Sequence, residues 1–477
     1  MYTPVIGFEV HLQAKTKTKM FSRVSANYFG QEPNTLTDPV TLGLPGALPV
    51  PNKAAIEQCI LLSRALQCSI NHETKFDRKN YFYPDLPKGY QISQYDKPIG
   101  YDGYIEFDIE GDSRRIRITR IHMEEDTGKS IHQGKTTLID LNKAGVPLIE
   151  LVTEPDFQSI EEVDKFAKRL RQIVRYLGIS NADMEKGQMR YELNISLKKD
   201  GEKGLPNYKV EVKNIGSISV LKKVIQSEID RQTKILDEGK TPIQETRGLR
   251  GMSGETKSQR VKEDSEDYRY FPEPDIPPIH ITKEWLAEID KRLIELPQER
   301  KDRYIAEYNL EPDSAEVLVS GYGRRADFFE ACVNVTSKST MSKEIAKWII
   351  GDLRGLMNQD NVRFADLKVK PTDIVEIVAA LEGKRITGTI AKQVLAECFE
   401  SGKSVESIIK EGNLEVVTDE SEIELFADQA IAENQKVVKD ISKNPNAIKF
   451  LVGQVMRLSK GKANPNVAEE ILKKKLL

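Results

Sequence analysis

The sequence predicts an α+β region of about 290 residues followed by an all-helical region. Up to about residue 290, short stretches alternate between apolar and polar residues and are separated by Gly and Pro, a pattern typical of strands and turns. Later segments, such as 342–357 and 388–402, carry their apolar residues at helical spacing. Because 477 residues exceed what one hydrophobic core usually organises, we expect roughly two to four domains, with the first boundary near residue 295.

The composition is typical of a water-soluble protein. Charged residues make up 30% and hydrophobic residues 39%, and no stretch approaches the roughly 20 apolar residues that span a bilayer. The first residues do not form a secretory signal, so we expect a cytoplasmic protein that does not associate with a membrane. Four widely spaced cysteines predict reduced, mostly buried thiols. With a net charge of -3, any nucleic-acid partner must contact a local basic patch.

Three segments of the first region place acidic or imidazole side chains on one face of a predicted strand. In VIGFEVHLQ the apolar residues take alternate positions, so a strand would turn Glu9 and His11 to the opposite face. A strand in RIRITRIHMEEDTGKS would place His122 and Glu124 together, and Glu150 interrupts the apolar run of AGVPLIELVTEPD. One such pair is usually a solvated strand face, but three indicate a metal or proton-transfer site. Carboxylates favour Mg2+, and imidazole would also admit Mn2+ or Zn2+.

Two helices and one long irregular segment are predicted within the first region. Ser159 and Glu162 form a capping-box pattern ahead of an apolar stripe at helical spacing. A second helix is predicted from Val220 to about Leu236. Residues 245–278 are too polar for a core and too irregular for a helix, so we expect a long functional loop there.

Common nucleotide-binding and hydrolase motifs are excluded. The GKS tripeptide lacks the glycine that a P-loop needs five positions earlier, where Met123 stands. The glycines of the predicted loop lack the GxGxxG spacing, although Arg247 and Arg250 beside them are compatible with a phosphate-handling loop. The sequence contains no GxSxG elbow, no HExxH and no amidase nucleophile run, so a covalent hydrolase has little support.

The segment RKNYFYPDLPKGYQISQ alternates aromatic, basic and turn residues with no run long enough to be core. Tyr81 and Tyr83 can stack on a base, while Lys79 and Lys88 supply positive charge for phosphate. A packed aromatic hairpin explains the same composition equally well. The segment YRYFPEPD at 268–275 has the same character.

The last 70 residues divide by charge. Acids dominate residues 411–440, whereas residues 443–477 contain eight Lys or Arg against two Glu. A solvated helix face is the usual explanation for such a run, and contact with a phosphate backbone is the alternative.

Taken together, these segments resemble one family, the GatB proteins of the glutamyl/aspartyl-tRNA amidotransferases. The resemblance covers essentially the whole chain, and its segments follow the order found in the family. They are IGFEVHLQ, LGLPGALPVPN, RKNYFYPDLPKGYQISQ, RIHMEEDTGK, AGVPLIELVTEP, DMEKGQMR, QETRG, YRYFPEPD, FLVGQVM and KGKANP.

The resemblance implies an α+β cradle domain at 1–292, an all-α helical domain at 293–407 and a small α-helical tail domain at 408–477 that contacts tRNA. It also implies that the cradle uses ATP and Mg2+ to phosphorylate the side-chain carboxylate of Glu on tRNA(Gln) or Asp on tRNA(Asn). Ammonia then displaces the phosphate. An amidase-type A subunit supplies the ammonia through a channel, and a small C subunit clamps the pair.

This chemistry assigns expected roles to the residues, because two anions must be brought together at a cation and kept away from bulk water. The expected metal ligands are Glu9, His11, Glu124 and Glu150. The expected catalytic residues are Glu124, Glu150, Lys79 and Arg190, and the expected nucleotide-binding residues are Lys79, Tyr81, Tyr83, Lys88 and Arg247.

The sequence departs from the family pattern in two places. Many members carry CPVC before LGLPG, whose thiolates indicate a structural zinc, but Asp38, Pro39, Val40 and Thr41 stand here, so we predict no zinc. Many members also carry Arg-Cys-Asp-x-Asn where this chain has RYELN, which leaves the role of Glu192 open.

Two other functions stay open at this stage. A non-catalytic scaffold would bind tRNA without turning over ATP. A metal hydrolase using His11 and His122 would act without ATP, although neither histidine has the spacing of a zincin. The residues do not decide between Glu-tRNA(Gln) and Asp-tRNA(Asn).

Overall fold

The computed structural model describes residues 2–109, 111–251, 253–261, 268–336, 339–416, 420–441 and 447–476. Two units divide the chain, Met1–Leu296 and Pro297–Leu477. The first mixes strands and helices and the second is helical, which confirms the predicted succession of the two classes. Among the described helices, none combines the length and the apolar character that a bilayer crossing requires. The four cysteines are free and buried, as predicted.

The strands belong to the first unit. They are β1 (Tyr2–Gln13), β2 (Ser69–Ile70), β3 (Glu73–Thr74), β4 (Asp77–Asn80), β5 (Tyr90–Ser93), β6 (Gly100–Ile109), β7 (Asp112–Glu125), β8 (Lys129–Gln133), β9 (Thr136–Asp140), β10 (Pro147–Thr153), β11 (Met189–Lys199), β12 (Val210–Ile215), β13 (Glu245–Leu249), β14 (Thr256–Val261), β15 (Phe271–Pro272) and β16 (Ile279–His280).

One large sheet organises the first unit. Within the described residues its strand order is β14-β13-β12-β11-β1-β10-β7-β6-β2, and each neighbouring pair is antiparallel except β12 and β13. A smaller sheet has the order β15-β4-β5, and β16-β3 and β8-β9 form two further pairs. Strand β1 therefore lies at the centre of the large sheet.

Helices occur in both units. The first unit contains α1 (Pro39–Leu42), α2 (Lys53–Ala65), α3 (Ile160–Tyr176), α4 (Ile218–Asp237) and α5 (Lys283–Asp290). The second contains α6 (Pro297–Tyr308), α7 (Pro312–Val319), α8 (Arg324–Val335), α9 (Ser342–Trp348), α10 (Arg354–Gln359), α11 (Pro371–Glu382), α12 (Gly388–Ser401), α13 (Val405–Glu411), α14 (Glu420–Glu433), α15 (Gln435–Asp440), α16 (Ile448–Leu458) and α17 (Pro465–Leu476). A π-helical turn, Ile349–Leu353, joins α9 to α10, and short 3-10 turns lie at Ser339–Met341 and Phe364–Asp366.

Both helices predicted in the first region are confirmed. Helix α3 starts at the predicted capping box, in which Glu162 N donates to Ser159 Oγ and the Glu162 carboxylate accepts from the Ser159 backbone. Helix α4 occupies the second predicted position. The apolar face of β1 packs beneath α3, where Phe8 contacts the ring of Phe166 and also that of Tyr191 on β11.

The prediction of a long loop at residues 245–278 is wrong for the first part of that segment. Strands β13 and β14 form an antiparallel hairpin there, and β13 adds to the edge of β12. The local pattern of a polar segment does not reveal this, because an open sheet edge offers unpaired backbone groups that a polar strand can satisfy. Residues 262–267 of the predicted loop lie outside the described residues.

The second unit confirms its two predicted helical segments. Residues 342–357 form α9, the π-helical turn and part of α10, and residues 388–402 form α12. Helices α14 to α17 enclose an apolar cluster of their own, centred on Ile423, Leu451 and Leu472. The boundary expected at residue 407 falls within α13.

Candidate active site

A row of polar side chains crosses the centre of the large sheet. His11 on β1 is opposite Glu150 on β10 and opposite Arg190 on β11. Glu150 is in turn opposite His122 on β7. Because directly paired residues of antiparallel strands project to the same face, these four side chains lie side by side. The predicted polar faces of three separate strand segments therefore meet.

Three of these strands contribute a compact group that we call the triad: His11, Glu124 and Glu150. His11 Nε2 lies 3.5 Å from Glu124 Oε1 and 3.4 Å from Glu150 Oε2. One donor atom from each residue lies within 4.8 Å of the other two. The three residues are 8%, 2% and 5% exposed, so this polar face is buried rather than solvated. Two carboxylates and an imidazole at this spacing suit a divalent cation.

Burial perturbs the charges of this group. The pKa of Glu124 is raised to about 7 by burial and by the neighbouring Glu150 carboxylate. Burial also lowers the pKa of His122 to about 4. The pKa of His11 is raised, because its hydrogen bond to Glu150 and the charge of Glu192 outweigh burial. Such opposed shifts within one buried group are characteristic of binding and catalytic sites.

Two imidazole nitrogens at this site have no hydrogen-bond partner among the described residues. His11 Nδ1 and His122 Nδ1 are both buried and unpaired. Most buried polar side-chain atoms are hydrogen-bonded, so an unpaired nitrogen here is available to a water molecule or an ion. The two carboxylates and one imidazole of the triad are ligand types that fit a resident cation.

The small sheet β15-β4-β5 covers the triad. Attraction to Glu124 and Glu150 raises the pKa of Lys79, on β4, well above its usual value even though burial opposes the charge. Lys79 Nζ also lies 4.9 Å from the centre of the Tyr268 ring. Ser93 Oγ, at the end of β5, donates to Glu124 Oε2 over 3.5 Å. A positively charged amine is therefore near enough to the two carboxylates to be stabilised by their charge.

The expected fourth ligand, Glu9, belongs to an adjacent group. Glu9, Glu192 and Glu211 offer carboxylate oxygens within 4.8 Å of one another. Lys213 Nζ lies 3.6 Å from Glu192 and 3.3 Å from Glu211, and Asn194 Nδ2 donates to Glu9 over 3.2 Å. The structure thus divides the predicted ligand set, with Glu192 linking the parts because it lies 3.8 Å from His11 Nδ1.

Arg190 is held by a residue that the sequence analysis missed. Arg190 Nη2 lies 3.2 Å from Asp126, which also binds Lys143 Nζ at 2.8 Å and Gln13 Nε2 at 2.9 Å. Although burial opposes the charge, Arg190 and Lys143 hold the pKa of Asp126 well below its usual value. Asp126 could have been found from the sequence, because it ends a run of three consecutive acidic residues in the same predicted strand segment.

The remaining predicted nucleotide-binding residues lie in different surroundings. The Lys88 side chain is 6% exposed and its ammonium binds Glu125, while the Tyr81 hydroxyl donates to Gln91 over 3.1 Å. Tyr83 is 60% exposed at the surface. Arg247 lies on β13, three strands and roughly 14 Å from β1, so the structure does not bring it to the triad.

Position 38, where many members of the resembled family carry a thiolate, has a structural role here. Asp38 is the N-cap of α1, and its carboxylate accepts from Thr41 N over 2.8 Å. An N-cap carboxylate of this kind accepts a hydrogen bond from a backbone N–H of the first helical turn that has no partner within the helix.

Comparison with known proteins places this arrangement in a family. The family model described as the GatB/GatE catalytic domain matches residues 4–287, and the model described as the GatB domain matches residues 327–476. The B subunit of an aspartyl/glutamyl-tRNA(Asn/Gln) amidotransferase from Persephonella marina is 46% identical over 476 residues. Proteins of the same name from Carboxydothermus hydrogenoformans and Thermotoga petrophila are 44% and 43% identical over 481 and 482 residues. Each alignment covers 100% of this chain and 99% of the relative, and the chain therefore belongs to the GatB family.

Proposed function

We propose that this chain is the ATP-dependent transamidating component of an aminoacyl-tRNA amidotransferase. Its substrate would be Glu misacylated on tRNA(Gln), Asp misacylated on tRNA(Asn), or both. The side-chain carboxylate attacks the γ-phosphorus of ATP, which releases ADP and leaves an acyl phosphate. Ammonia then attacks the acyl carbon and phosphate departs, which gives the amide. The observation that carries the proposal is the buried triad facing Lys79 in a chain of this family.

The donor set of the triad fits Mg2+, with Mn2+ as an alternative. His11, Glu124 and Glu150 would hold the ion, and Glu9 stands in the adjacent carboxylate group. When bound, the ion would offset the negative charge of phosphate and carboxylate as they approach. We propose no structural zinc at residues 38–41, because they contain no thiolate.

The chain's own cations orient the two anionic reactants. Lys79 keeps its positive charge beside Glu124 and Glu150, so its amine can bind a phosphate or carboxylate oxygen there. Arg190 is fixed by Asp126 at the other end of the row. Burial of the triad keeps bulk water away from the acyl phosphate, which would otherwise be hydrolysed.

We propose that ammonia comes from an amidase-type A subunit and that a small C subunit completes a heterotrimer. The relatives are named as B subunits and this sequence lacks an amidase nucleophile run, and both observations support that division of labour. The lysines of the last helices would contact the tRNA backbone. The four free, buried cysteines are in keeping with a reducing cytoplasm.

Replacement of Glu124 tests the proposal. Glu124→Gln keeps the shape of the side chain but removes a charge from the triad, so ATP-dependent amidation should be abolished even when free ammonia is supplied. Glutamine hydrolysis by the reconstituted A subunit is the control and should be largely retained. Unchanged amidation would show that Glu124 is not part of the active site.

A single-turnover assay of phosphate release with Glu-tRNA separates this function from a non-catalytic scaffold. The wild-type chain should release ADP and phosphate only when the misacylated tRNA is present. Binding of tRNA without any ATP turnover would support the scaffold, and amidation without ATP would support the hydrolase.

A further inference from the structure

Five tyrosine rings form a continuous row across the small sheet that covers the triad. Tyr83 contacts Tyr81 with ring centres 5.9 Å apart, and Tyr81 contacts Tyr268 at 6.0 Å. Tyr268 contacts Tyr270 at 5.9 Å, and Tyr270 stacks on Tyr95 at 4.2 Å with an interplanar angle of 13°. We call these residues the tyrosine row. Three separate chain segments contribute to it, so neighbouring sequence positions alone do not produce it.

The middle of the tyrosine row lies directly beside the candidate chemistry. Lys79 Nζ lies 4.9 Å from the centre of the Tyr268 ring, and the charges of Glu124 and Glu150 stabilise the same amine. Burial raises the pKa of Tyr270 to about 12, so this ring stays neutral at ordinary pH. The row therefore offers uncharged ring faces next to a cation that faces two carboxylates.

Both ends of the row are open to solvent. Tyr83 is 60% exposed and Tyr95 is 54% exposed, whereas a core aromatic of the same unit such as Phe8 is 1% exposed. The neighbouring Phe82 is 75% exposed, with the Arg269 guanidinium 5.9 Å from its ring centre. A contiguous exposed aromatic surface is unfavourable in water and usually marks a binding site. A packed aromatic hairpin, the alternative considered from the sequence, would bury its ends.

We propose that the tyrosine row stacks the unpaired 3′-terminal bases of the aminoacylated tRNA and so delivers the esterified amino acid to Lys79. This inference rests on the proposed function. Unpaired bases stack on aromatic side chains regardless of sequence, and a nearby guanidinium such as that of Arg269, which lies 5.9 Å from the Phe82 ring centre, can bind a phosphate between them. Arg78, on β4 of the same sheet, is instead paired with the buried Glu273 carboxylate over 2.7 and 2.9 Å.

A stacking row accounts for a geometric requirement of the reaction. The reacting carboxylate belongs to an amino acid at the very end of the RNA, so its position depends on how that end is held. Backbone contacts made far away, at the last helices, would leave the terminal nucleotides free to move. Bases that are held on rings beside Lys79 would fix the ester within reach of the triad.

The exposed ends of the row provide the test. Tyr83→Leu and Tyr95→Leu keep an apolar side chain but remove the ring face, and neither position is buried enough for the fold to depend on it. Tyr104→Leu is the control, since Tyr104 is a partly exposed tyrosine on β6, outside the row, with the Arg115 guanidinium 4.2 Å from its ring centre.

Binding of tRNA to the full chain in its assembled complex should be measured without ATP, first with intact tRNA and then with tRNA trimmed of its unpaired 3′-terminal nucleotides. We expect each row variant to weaken binding of intact tRNA by about 5- to 100-fold, as expected for the loss of one stacked base. Binding of trimmed tRNA, the affinity of Tyr95→Leu for ATP and the behaviour of Tyr104→Leu should be unchanged.

Three results would overturn the inference. Equal weakening with intact and trimmed tRNA would place the contact elsewhere on the RNA, and a loss of ATP affinity alone would assign the row to the adenine of ATP. Unchanged binding of intact tRNA would leave the row without a role in stacking. Phosphate transfer by the wild-type complex is measured separately, so its failure would contradict the proposed function without deciding the role of the row.

Discussion

Two charged groups, one at the centre of the large sheet and one between helix α4 and strand β13, use similar side chains to opposite effect. Near the sheet edge, Glu228 and Arg231 on α4 pair with Arg247 and Glu245 on β13, and we call these four residues the edge group. Glu228 is 0% exposed and lies 2.7 Å from Arg231 Nη2 and 3.3 Å from Arg247 Nε. In the triad, by contrast, two carboxylates share one imidazole. A carboxylate matched by a guanidinium supports the fold, whereas one that is under-matched is suited to bind a cation.

The pKa shifts of Glu228 and Glu124 follow the same division, whereas the pKa of Glu150 is lowered, because His122 and His11 outweigh burial. Burial raises the pKa of any carboxyl, but the hydrogen bond and charge of Arg231 bring the pKa of Glu228 below its usual value. Glu124 forms no ion pair with an arginine in the described part of the chain, and its pKa is raised to about 7. The fold thus favours the charged form of Glu228 and disfavours that of Glu124.

The largest expected difference between the groups is in activity. Glu124→Gln should lower ATP-dependent amidation with free ammonia by at least about 100-fold, because it removes a charge where two anionic reactants meet. Glu228→Gln is the matched substitution and should change the rate per folded molecule by less than about twofold. Both rates are measured under identical conditions on complexes of verified composition. Similar losses in the two variants would abolish the functional distinction between the groups.

Stability should respond in the reverse order. Glu228→Gln should destabilise the first unit by about 3 kcal/mol, on the order of 5–10 °C in Tm, because it leaves the partly buried guanidinium groups of Arg231 and Arg247 short of a partner. Glu124→Gln should not lower Tm in mildly alkaline buffer, because the folded state disfavours the ionised carboxyl that is lost. Differential scanning calorimetry in the presence of a chelator measures both. A larger fall in Tm for Glu124→Gln than for Glu228→Gln would contradict the assignment.

Magnesium should separate the groups by a smaller amount. A cation that binds only the folded state stabilises it by about 2.7 kcal/mol at one hundred times its dissociation constant. We therefore expect Mg2+ to raise Tm of the wild type and of Glu228→Gln by similar amounts, and to have no effect on Tm of Glu124→Gln. A Mg2+ titration monitored by thermal unfolding measures these changes in Tm. Equal effects of Mg2+ on Tm in all three proteins would show that the triad does not bind the ion.

The smallest expected effect concerns Lys19, a buried cation that belongs to neither group. It is 1% exposed and its Nζ donates to Leu36 O over 2.6 Å; burial lowers its pKa to about 8 despite attraction to Asp38 and Glu125. The unfolded chain holds this proton up to about pH 10.5, so between about pH 8 and that value the unfolded state binds more protons and stability rises with pH.

Replacement of Lys19 with Met should remove this pH-dependent contribution. The Tm of the wild type, measured against that of Lys19→Met, should rise from about pH 8 to about pH 10 by an amount that corresponds to about 1 kcal/mol after solvent screening. Thermal unfolding in a series of buffers at constant ionic strength is sufficient. Parallel Tm profiles for the two proteins would show that the ammonium is not held in a destabilising site.

Much of the fold is visible in local sequence patterns. The alternation in VIGFEVHLQ predicts a strand with Glu9 and His11 on one face, and Ser159 with Glu162 predicts the start of α3. Patterns of this kind depend on neighbours within a few residues, so the sequence contains all the information that they need. The polar hairpin at β13 and β14 was missed, since its partners are a distant strand edge and the charged side chains of α4.

The chemistry of the site depends on contacts that local patterns do not contain. By itself, the sequence determined which side chains share a face of each strand, the start of α3, and the family to which the chain is similar. Only the tertiary structure decided that β1 lies between β10 and β11, which brings Glu150 beside His11 and leaves Glu9 in a separate group. The tertiary structure also brings the tyrosine row beside Lys79. Periodicity is a local property, whereas strand order and register are set by long-range packing, and the charge balance of a buried site follows from them.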